Sequence, residues 1–347
     1  MNKPLYNFYS VIVPSYNRQD ELVELLASMQ TLDFPRDRFE VIVVDDGSSD
    51  QTLPYLEDFR SRARFNFQFY TQKNLGPGAA RNTGMEEAHG DFFLFVDSDC
   101  YVPDHWLREI DSQLNLHQAD ACGGPDSYHR DFSPLLKAIN YSMTSFLTTG
   151  GLRGRKGKKL AKFYPRSFNM GLSRDLWQKI GSFGFLRHGQ DIEFSNRILK
   201  SGARVIYIAG AFVYHKRRTT LRRFYRQVFN WGVARINLYK IDSAMLEPLH
   251  ALPALVTFIL ICLFVLALFS PLARILLLTG ILFMVVLILF SMVAAIQKYH
   301  ELKPALLLPL IMPAQVIGYG MGFIYNFIRR VILGKKEKVG FTKTYYK

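Results

Sequence analysis

Two carboxylates stand two positions apart directly after a short apolar run. Asp97 and Asp99 follow the run FFLFV at residues 92–96. Positions two apart face the same side of an extended segment, so these carboxylates repel each other unless a cation lies near them. Oxygen ligands suit Mg²⁺ or Mn²⁺, and such an ion bridges substrate phosphates and neutralises a departing diphosphate. An isolated DxD triplet is also common in turns and helix caps, so the triplet alone leaves both interpretations open.

Polar groups also follow two earlier apolar runs. Asp-Gly is a strong turn signal, so the second of these could be a plain turn. Paired acids after a strand can instead accept hydrogen bonds from the N–H groups of a base or from ribose hydroxyls. The residues are Pro14, Ser15 and Tyr16 after the run at 10–13, and Asp45, Asp46 and Gly47 after the run at 41–44.

A third segment, NLGPGAARNTG at residues 74–84, combines a Gly/Pro turn with Arg81. Its structural interpretation is a helix N-terminus with glycines for close packing. Its functional interpretation is a guanidinium aimed at a diphosphate or a base. No GxGxxG motif follows the first run and the sequence has no GxxxxGK[ST] motif, which removes the main support for dinucleotide and P-loop binding.

The elements that must position these groups alternate along the chain. Short apolar, β-branched runs predict strands, and the segments between them have helical periodicity. This order predicts an α/β fold with a mostly parallel sheet covered on both faces, in which ligands bind beyond the carboxyl ends of the strands. The predicted strands are 10–13, 41–44, 67–70 and 92–96, and the predicted helices are 21–29, 52–60, capped by Ser49 or Asp50, and 77–88.

Five motifs in order, VIVPSYNR, VIVVDDGSSD, NLGPGAARNTG, FLFVDSDC and GQDIEF, resemble those of family 2 glycosyltransferases. The resemblance covers residues 10–238 and implies a GT-A fold, with a Rossmann-like nucleotide-sugar-binding domain and inverting transfer of a sugar from a nucleotide-diphosphate sugar. It implies a metal-binding DxD in which Asp99 is the closer ligand of a divalent cation, Mn²⁺ or Mg²⁺. The nucleotide-sugar-binding residues it implies are Pro14, Ser15, Tyr16, Asp45 or Asp46, Arg81 and Asp97.

The resemblance implies a catalytic base in the stretch GQDIE, at Asp191. An alcohol acceptor has too high a pKa to attack unaided, so a carboxylate must take its proton as the new bond forms. Gln190 departs from the Glu that is usual in this motif, and we expect Gln190 and Glu193 on the acceptor side. Asp191 could also be the N-cap of a helix at 193–200, and both roles can hold at once.

Two further positions have weaker signals. His215 follows the strand-like run VIYIAGAFVY, and it is either a structural histidine or, as the resemblance implies, a group that joins the metal or contacts the diphosphate. Gln227 and Trp231 belong to QVFNW, which partly resembles the QxxRW acceptor motif of processive polysaccharide synthases, with Asn230 in the Arg position. Trp231 could stack on an acceptor sugar or anchor the chain at a membrane interface.

Charge is distributed unevenly over the 347 residues. The chain has 43 Lys+Arg and 29 Asp+Glu, a formal net charge of +14. The segments 153–166, 216–226 and 329–347 carry 20 of the basic residues and a single acid, so the rest of the chain is net acidic. Local patches argue against a nucleic-acid binder and favour contact with anionic lipid or phosphate, although 153–162 could also be a solvated loop. Three cysteines without metal or disulfide spacing fit a reducing compartment.

Three stretches without charged residues, 251–273, 275–296 and 305–328, are long enough to cross a membrane. The first two predict a helical hairpin separated by Arg274, with Ser270-Pro271 as a further candidate for the break. The third contains two prolines and GYGMG and could span, kink or re-enter. The N-terminal sequence has no signal-peptide pattern, so we expect the catalytic domain on the cytosolic side of the cell membrane. Two full crossings with a re-entrant or interfacial third segment would keep the basic tail inside.

The sequence therefore predicts a glycosyltransferase domain at 1–240 with an interfacial helix at 215–240, a transmembrane domain at 250–330 with two to three hydrophobic helices, and a basic tail at 331–347. The expected function is membrane-anchored transfer of a sugar to a lipid or lipid-linked saccharide acceptor, in cell-envelope or polysaccharide glycan assembly. A processive polysaccharide synthase and a non-catalytic nucleotide-sugar-binding membrane protein are the alternatives.

Overall fold

The computed structural model of the protein describes residues 5–127, 132–149, 163–186, 188–215 and 220–337. The strands in these ranges are β1 (Tyr9–Ser15), β2 (Phe39–Asp45), β3 (Asn66–Thr71), β4 (Phe92–Val96), β5 (Cys100–Tyr101), β6 (Ala121–Gly123), β7 (Asp126–Ser127), β8 (Asn169–Ser173), β9 (Val205–Tyr207) and β10 (Val213–His215).

The helices in the same ranges follow in chain order. They are α1 (Gln19–Gln30), α2 (Thr52–Arg62), α3 (Pro77–Glu87), α4 (Trp106–His117), α5 (Pro134–Thr144), α6 (Phe146–Thr149), α7 (Arg174–Ile180), α8 (Gln190–Lys200), α9 (Leu221–Ile241), α10 (Pro248–Leu266), α11 (Pro271–Tyr299), α12 (Leu302–Leu306) and α13 (Leu308–Phe327). Short 3₁₀ turns occupy Arg36–Arg38 and Ser243–Met245, and α13 continues as a π-helical turn at Ile328–Ile332.

The chain divides into two compact units. The first comprises the described residues of 1–127 and 162–216, and the second comprises those of 128–161 and 217–337. Much of the three basic segments, namely 153–162, 216–219 and 338–347, lies outside the described residues.

The first unit is built on a seven-stranded sheet in the order β3-β2-β1-β4-β8-β6-β9. β1, β2, β3 and β4 run parallel, β8 is antiparallel to β4 and β6, and β9 is parallel to β6. β1, β2 and β4 are buried along their whole lengths, as expected for strands covered by helices on both faces. This confirms the predicted α/β class and mostly parallel sheet.

The predicted elements at the start of the chain are confirmed, with one or two residues more or fewer at several ends. On α1 the predicted apolar face is buried through Leu22, Leu25, Leu26 and Met29. Of the two candidate caps for α2, Asp50 accepts the backbone N–H of Thr52 at 3.0 Å, although Gln51 occupies the N-cap position itself.

The strand-like run before His215 is two strands rather than one. β9 ends at Tyr207 and adds to the edge of the main sheet, whereas β10 pairs with β5 and β7 in a separate three-stranded sheet. His215 lies opposite Cys100 in the antiparallel pair β5–β10. This small sheet, which the strand pattern did not predict, brings His215 next to the end of the DxD segment.

The second unit contains the apolar helices. α10, α11 and the helix from Leu308 to Ile332 are long and apolar enough to cross a membrane, as the composition predicted. Residues 267–270 separate the first two helices, so the break lies at the Ser270-Pro271 candidate and not at Arg274. α11 begins at Pro271, with Ser270 as its N-cap, and the Arg274 guanidinium donates to the carbonyl of Ala267 in the turn before it.

The third apolar helix is packed more deeply than the others. Within the unit, 44% of its most apolar stretch is buried, against 17% for α10 and 11% for α11. Its GYGMG sequence explains the packing, because a Cβ on Gly322 would collide with the backbone of Phe229 on α9, and a Cβ on Gly320 would collide with Thr257 on α10. Small residues let helix backbones approach closely. Whether this helix spans or re-enters a membrane stays a prediction.

The same unit includes helices that precede the apolar region in sequence. α5 and α9 fall within the range 1–240 that we predicted as one domain, yet both pack with the C-terminal helices. The polar face of α5 explains this for α5, because its buried polar side chains pair with α11, with α13 and with the turn between α11 and α12. These contacts are Lys137 Nζ to Glu301 Oε1 at 2.7 Å, Asn140 Nδ2 to Tyr299 Oη at 2.9 Å, and Ser142 Oγ to Gln315 Oε1 at 2.8 Å.

Candidate active site

The carboxyl edge of the main sheet carries buried polar groups. Ser15 at the end of β1 lies opposite Asp45 at the end of β2. Within the described residues, the Ser15 hydroxyl, Asp45 Oδ1 and both amide atoms of Asn74 are buried without a hydrogen-bond partner. Leaving a buried polar atom unsatisfied costs about 1–3 kcal/mol, so this edge is suited to a polar ligand. Pro14 and Tyr16 flank the Ser15 position, with Pro14 buried and Tyr16 half-buried.

Asp45 and Asp46 have different roles in the structure. The Asp46 carboxylate accepts hydrogen bonds from the backbone N–H groups of Leu75 and Gly76, at 2.9 and 2.8 Å, and from the side-chain amide of Gln72 at 2.7 Å. Burial raises the pKa of Asp46, and these three hydrogen bonds oppose the rise. Asp46 thus fixes the turn that precedes α3, and Asp45 is the acid of the pair with a carboxylate oxygen left to accept a ligand.

Arg81 and Asp97 form an ion pair beside this edge. Arg81 lies in α3 with only 4% of its surface exposed, and its guanidinium donates to Asp97 Oδ1 and, at 3.3 Å, to the carbonyl of Pro77. The guanidinium also lies 5.6 Å above the ring of Phe183. α3 begins after Gly76, whose φ of +96° suits glycine, so a cation and a helix N-terminus stand together where an anion would be stabilised.

Asp99 and His215 lie close enough to share a cation. Asp99 Oδ1 is 3.2 Å from His215 Nε2, and one ligand atom from each of Asp99, Cys100 and His215 lies within 4.8 Å of the others. Carboxylate oxygen and imidazole nitrogen suit Mn²⁺, so these two residues fit a divalent cation. Burial, reinforced by Asp99 and Asp97, raises the pKa of the Cys100 thiol well above its ordinary value.

Two charged residues around this pair were not singled out from the sequence. Arg18, on the turn after β1, places Nη1 3.6 Å from Asp99 Oδ2 and 2.7 Å from Glu21. Asp126 Oδ2 lies 4.0 Å from His215 Nδ1, on the other side of the imidazole. Asp126 comes from β7, and only the pairing of β7 with β10 brings it to the histidine, so no local pattern could have indicated it.

Asp191 lies in the first turn of α8. The possibility that it is the N-cap of this helix is wrong, because the helix begins at Gln190 and Gly189 is the N-cap, with a φ of +86°. Asp191 Oδ2 accepts a hydrogen bond from Arg166 Nη1 at 3.0 Å, and about a quarter of each side chain is exposed. Burial raises the pKa of Asp191, but the Arg166 guanidinium, the backbone N–H of Ile192 and Arg81 together outweigh burial and hold the pKa below its usual range. The carboxylate is therefore ionised near neutral pH.

The neighbours of Asp191 on α8 are both engaged. The side-chain amide of Gln190 donates to the carbonyl of Gly184 at 2.8 Å. It also lies against Gly78 in the first turn of α3, where a Cβ would stand only 2.5–2.8 Å from the Gln190 amide group. Glu193 pairs with Arg197 at 2.7 and 3.0 Å. Gln190 thus joins the helix that carries Arg81 to the helix that carries Asp191, and Glu193 holds α8 internally.

The remaining candidates lie in the second unit. Gln227 and Trp231 are half-buried on α9, one turn apart, and the structure leaves their acceptor role a prediction.

Known proteins resemble this chain over the same region. The profile of Glycosyl transferase family 2 matches residues 10–181. The poly(ribitol-phosphate) β-N-acetylglucosaminyltransferase TarS of Staphylococcus aureus is 36% identical over 142 residues, covering 38% of this chain and 25% of TarS. The chain thus matches only a quarter of the length of TarS. Glycosyltransferase AglE of Haloferax volcanii is 26% identical over 247 residues, covering 71% of this chain and 78% of AglE.

A third relative and a solved structure extend the likeness beyond the sheet. A dolichyl N-acetyl-α-D-glucosaminyl phosphate 3-β-D-2,3-diacetamido-2,3-dideoxy-β-D-glucuronosyltransferase of Methanococcus voltae is 22% identical over 236 residues, covering 66% of this chain and 73% of that protein. The mannosyltransferase PcManGT of Pyrobaculum calidifontis, solved with GDP-Man and Mn²⁺, superposes with a TM-score of 0.62 at 19% identity, covering 92% of this chain and 88% of that structure. This likeness establishes the fold.

Proposed function

We propose that this chain, whose residues 10–181 match the profile of Glycosyl transferase family 2 and whose fold resembles that of PcManGT, is a membrane-anchored, inverting glycosyltransferase with the GT-A fold. It moves a sugar from a nucleotide-diphosphate sugar to a lipid or lipid-linked saccharide, in cell-envelope or polysaccharide glycan assembly. The observation that carries the proposal is the arrangement in the first unit. Asp97 and Asp99 follow β4, where Asp97 pairs with Arg81 of α3 and Asp99 lies against His215 of β10. An ionised carboxylate, Asp191, lies on a helix joined to α3.

The donor site is formed by the carboxyl edge of the main sheet. The buried and unsatisfied atoms of Ser15, Asp45 and Asn74 would bind the base and ribose, because a nucleoside offers hydroxyl and N–H groups that match them. Arg81, held by Asp97, would face the diphosphate, and the N-terminus of α3 adds to the attraction for phosphate oxygens. PcManGT, which shares the fold, was solved with GDP-Man.

Asp99 and His215 would hold a divalent cation, with Asp97 beside them. Bound there, Mn²⁺ or Mg²⁺ would neutralise charge on the departing nucleotide diphosphate. Arg18 stands 3.6 Å from Asp99 and offers a second positive charge to the same oxygens. Arg81 contributes a third, so the residues of this chain concentrate positive charge where the leaving group becomes more negative.

Asp191 is the general base of the proposed reaction. Its carboxylate takes the proton of the acceptor hydroxyl while the acceptor oxygen bonds to the anomeric carbon and the bond to the diphosphate oxygen breaks. Attack from the face opposite the leaving group inverts the anomeric centre. Because the Arg166 guanidinium keeps the pKa of Asp191 low, the base stays ionised across the neutral range.

The second unit anchors the enzyme to the membrane that contains the acceptor. Three helices have the length and composition of membrane spans. Arg222, Arg223 and Arg226 are exposed at the start of α9, where they would contact the phosphate groups of anionic lipids on the cytosolic side. Gln227 and Trp231 follow on the same helix and would contact the acceptor sugar. The Methanococcus voltae relative is named for a dolichyl phosphate acceptor, which supports a lipid-linked substrate.

Sugar transfer to lipid tests the proposal. The full chain in lipid nanodiscs is incubated with Mn²⁺, an envelope-lipid extract and a panel of radiolabelled UDP-, GDP- and dTDP-sugars. We expect one of these donors to label the lipid fraction, with one sugar added to each acceptor and with the labelling abolished by EDTA. A long ladder of products would indicate a processive synthase instead. Donor binding without any labelled lipid, across the whole panel, would contradict the proposed transfer.

A further inference from the structure

The guanidinium of Arg166 contacts the proposed base. Arg166 Nη1 lies 3.0 Å from Asp191 Oδ2, although the two residues are 25 positions apart in sequence. Arg166 was counted among the basic residues of 153–166, a segment interpreted from the sequence as a patch for lipid or phosphate. Its side chain instead lies in the first unit against α8, with 26% of its surface exposed. It is therefore a candidate for a specific role rather than for a general charged surface.

The backbone on both sides of Arg166 is held in place. The carbonyl of Pro165 accepts a hydrogen bond from the buried hydroxyl of Ser195, one turn along α8 from Asp191. The carbonyl of Arg166 accepts the backbone N–H of Asn169, the first residue of β8, at 2.9 Å. Two fixed points, one on the helix that carries the base and one on the sheet, therefore limit where the Arg166 side chain can reach.

We propose that Arg166 is a positioning residue that orients Asp191 for proton transfer, and this inference rests on the proposed function. The ion pair engages Oδ2, so the acceptor hydroxyl meets Oδ1. As the reaction proceeds, the proton passes from the acceptor oxygen to Oδ1, and the negative charge leaves the carboxylate and appears on the diphosphate. Arg166 takes no proton and forms no covalent bond.

The pH dependence of the reaction follows from the charges around Asp191. Arg166, from the segment before β8, and Arg81, from α3, both favour the ionised carboxylate, and the N–H of Ile192 also favours it. Burial acts in the opposite direction and remains when Arg166 is removed. Removing Arg166 therefore raises the pKa of Asp191 and moves the acidic limb of the kcat/KM profile to higher pH.

The test compares R166A, R166K and R166Q in the full-length protein in nanodiscs. R64A is the control, since Arg64 is exposed and precedes β3, at the end of the sheet opposite the carboxyl edge. For R166A we expect kcat at pH 7 to fall by about 10- to 100-fold while the Kd of the donor, measured by calorimetry, changes less than about 3-fold. The acidic limb should shift upward by about one pH unit in R166A and R166Q, and R166K should restore most of the wild-type profile.

Two results would contradict the role of Arg166, and a third would contradict the proposed function. An unchanged acidic limb in R166A, or a loss of rate explained wholly by weaker donor binding, would overturn the positioning role. If D191N turns over as fast as the wild type, the proposed function itself is wrong rather than the role of Arg166. To guard against misfolding, the pKa of Asp191 is also measured by carboxyl ¹³C NMR, with D191N used for assignment. An upward shift in R166Q without a fall in melting temperature supports the inference independently of activity.

Discussion

The contact between Gly78 and Gln190 joins α3, the proposed donor-binding helix, to the helix of the proposed base, and it can be tested by a double-mutant cycle. In Gly78→Ala the new Cβ would stand 2.5–2.8 Å from the Gln190 amide group, so that side chain must move and give up its 2.8 Å hydrogen bond to Gly184. A net hydrogen bond contributes about 1 kcal/mol, and the gain in helix propensity on replacing glycine offsets up to a similar amount.

The cycle predicts that Gly78→Ala is less favourable in the wild type than in a Gln190→Ala background. In the wild type, Gly78→Ala should leave the melting temperature unchanged or lower it by up to about 4 °C, since about 1 kcal/mol corresponds to about 2–4 °C for a domain of this size. In a Gln190→Ala background there is no amide group to displace, so the same substitution should be neutral or stabilising. The double variant should therefore be about 1 kcal/mol more stable than the sum of the two single substitutions predicts.

Gly84→Ala, on the same helix, is the matched control. Its Cβ would collide with Ile12 in the sheet rather than with Gln190, and overpacking a core costs about 1–3 kcal/mol. Its effect should be equal in the wild-type and Gln190→Ala backgrounds. Differential scanning fluorimetry, with and without donor, gives the melting temperatures of the four proteins of the Gly78/Gln190 cycle and of Gly84→Ala in the same two backgrounds. Equal effects of Gly78→Ala in the two backgrounds would refute the proposed contact between α3 and α8.

Three further predictions concern the cation site, the second unit and acid stability. Asp99→Asn should weaken Mn²⁺ binding by at least about 10-fold, as measured by electron paramagnetic resonance of free Mn²⁺, and unchanged affinity would exclude Asp99 as a ligand. Gly322→Leu should force α13 away from Phe229, at an overpacking cost of about 1–3 kcal/mol, and so lower the melting temperature. A melting temperature equal to that of the wild type would show that the two helices do not approach closely there. Because the pKa of Asp191 is lowered on folding, its ion pair with Arg166 should stabilise the protein above the ordinary Asp pKa of about 3.9 and stop doing so as the pH falls through the lower folded value. The stability difference between wild type and D191N, measured by denaturation from pH 7 to pH 2.5, should shrink only in that acidic window, and a difference that grows towards low pH would contradict this sign.

The positions of the strand-end groups could be predicted because they depend on local patterns. Short buried runs of apolar residues indicate strands, and parallel neighbouring strands end at one edge, so Ser15, Asp45 and Asp97 were expected together. The same reasoning could not separate Asp45 from Asp46, because the partners of Asp46 lie on the turn before α3. Which acid stays open to a ligand depends on that loop.

The remaining parts of the site depend on contacts between distant segments. His215 reaches Asp99 only because β10 leaves the main sheet and pairs with β5, and a continuous strand-like run gave no sign of the break. Arg166 appeared in the sequence as one charge among seven in a basic segment. α5 and α9 were assigned to the catalytic domain because they precede the apolar helices, whereas their buried polar and glycine contacts are with those helices.

The central claim is that Asp191 is the general base of a sugar transfer supported by the donor site of the first unit. The most direct test is to compare wild type and D191N, both in nanodiscs with Mn²⁺ and a donor that the wild type uses. The account predicts that D191N binds this donor with a Kd within about 3-fold of the wild type, while transfer to lipid falls by at least about 100-fold. Undiminished transfer by D191N, with the same donor affinity, would contradict it.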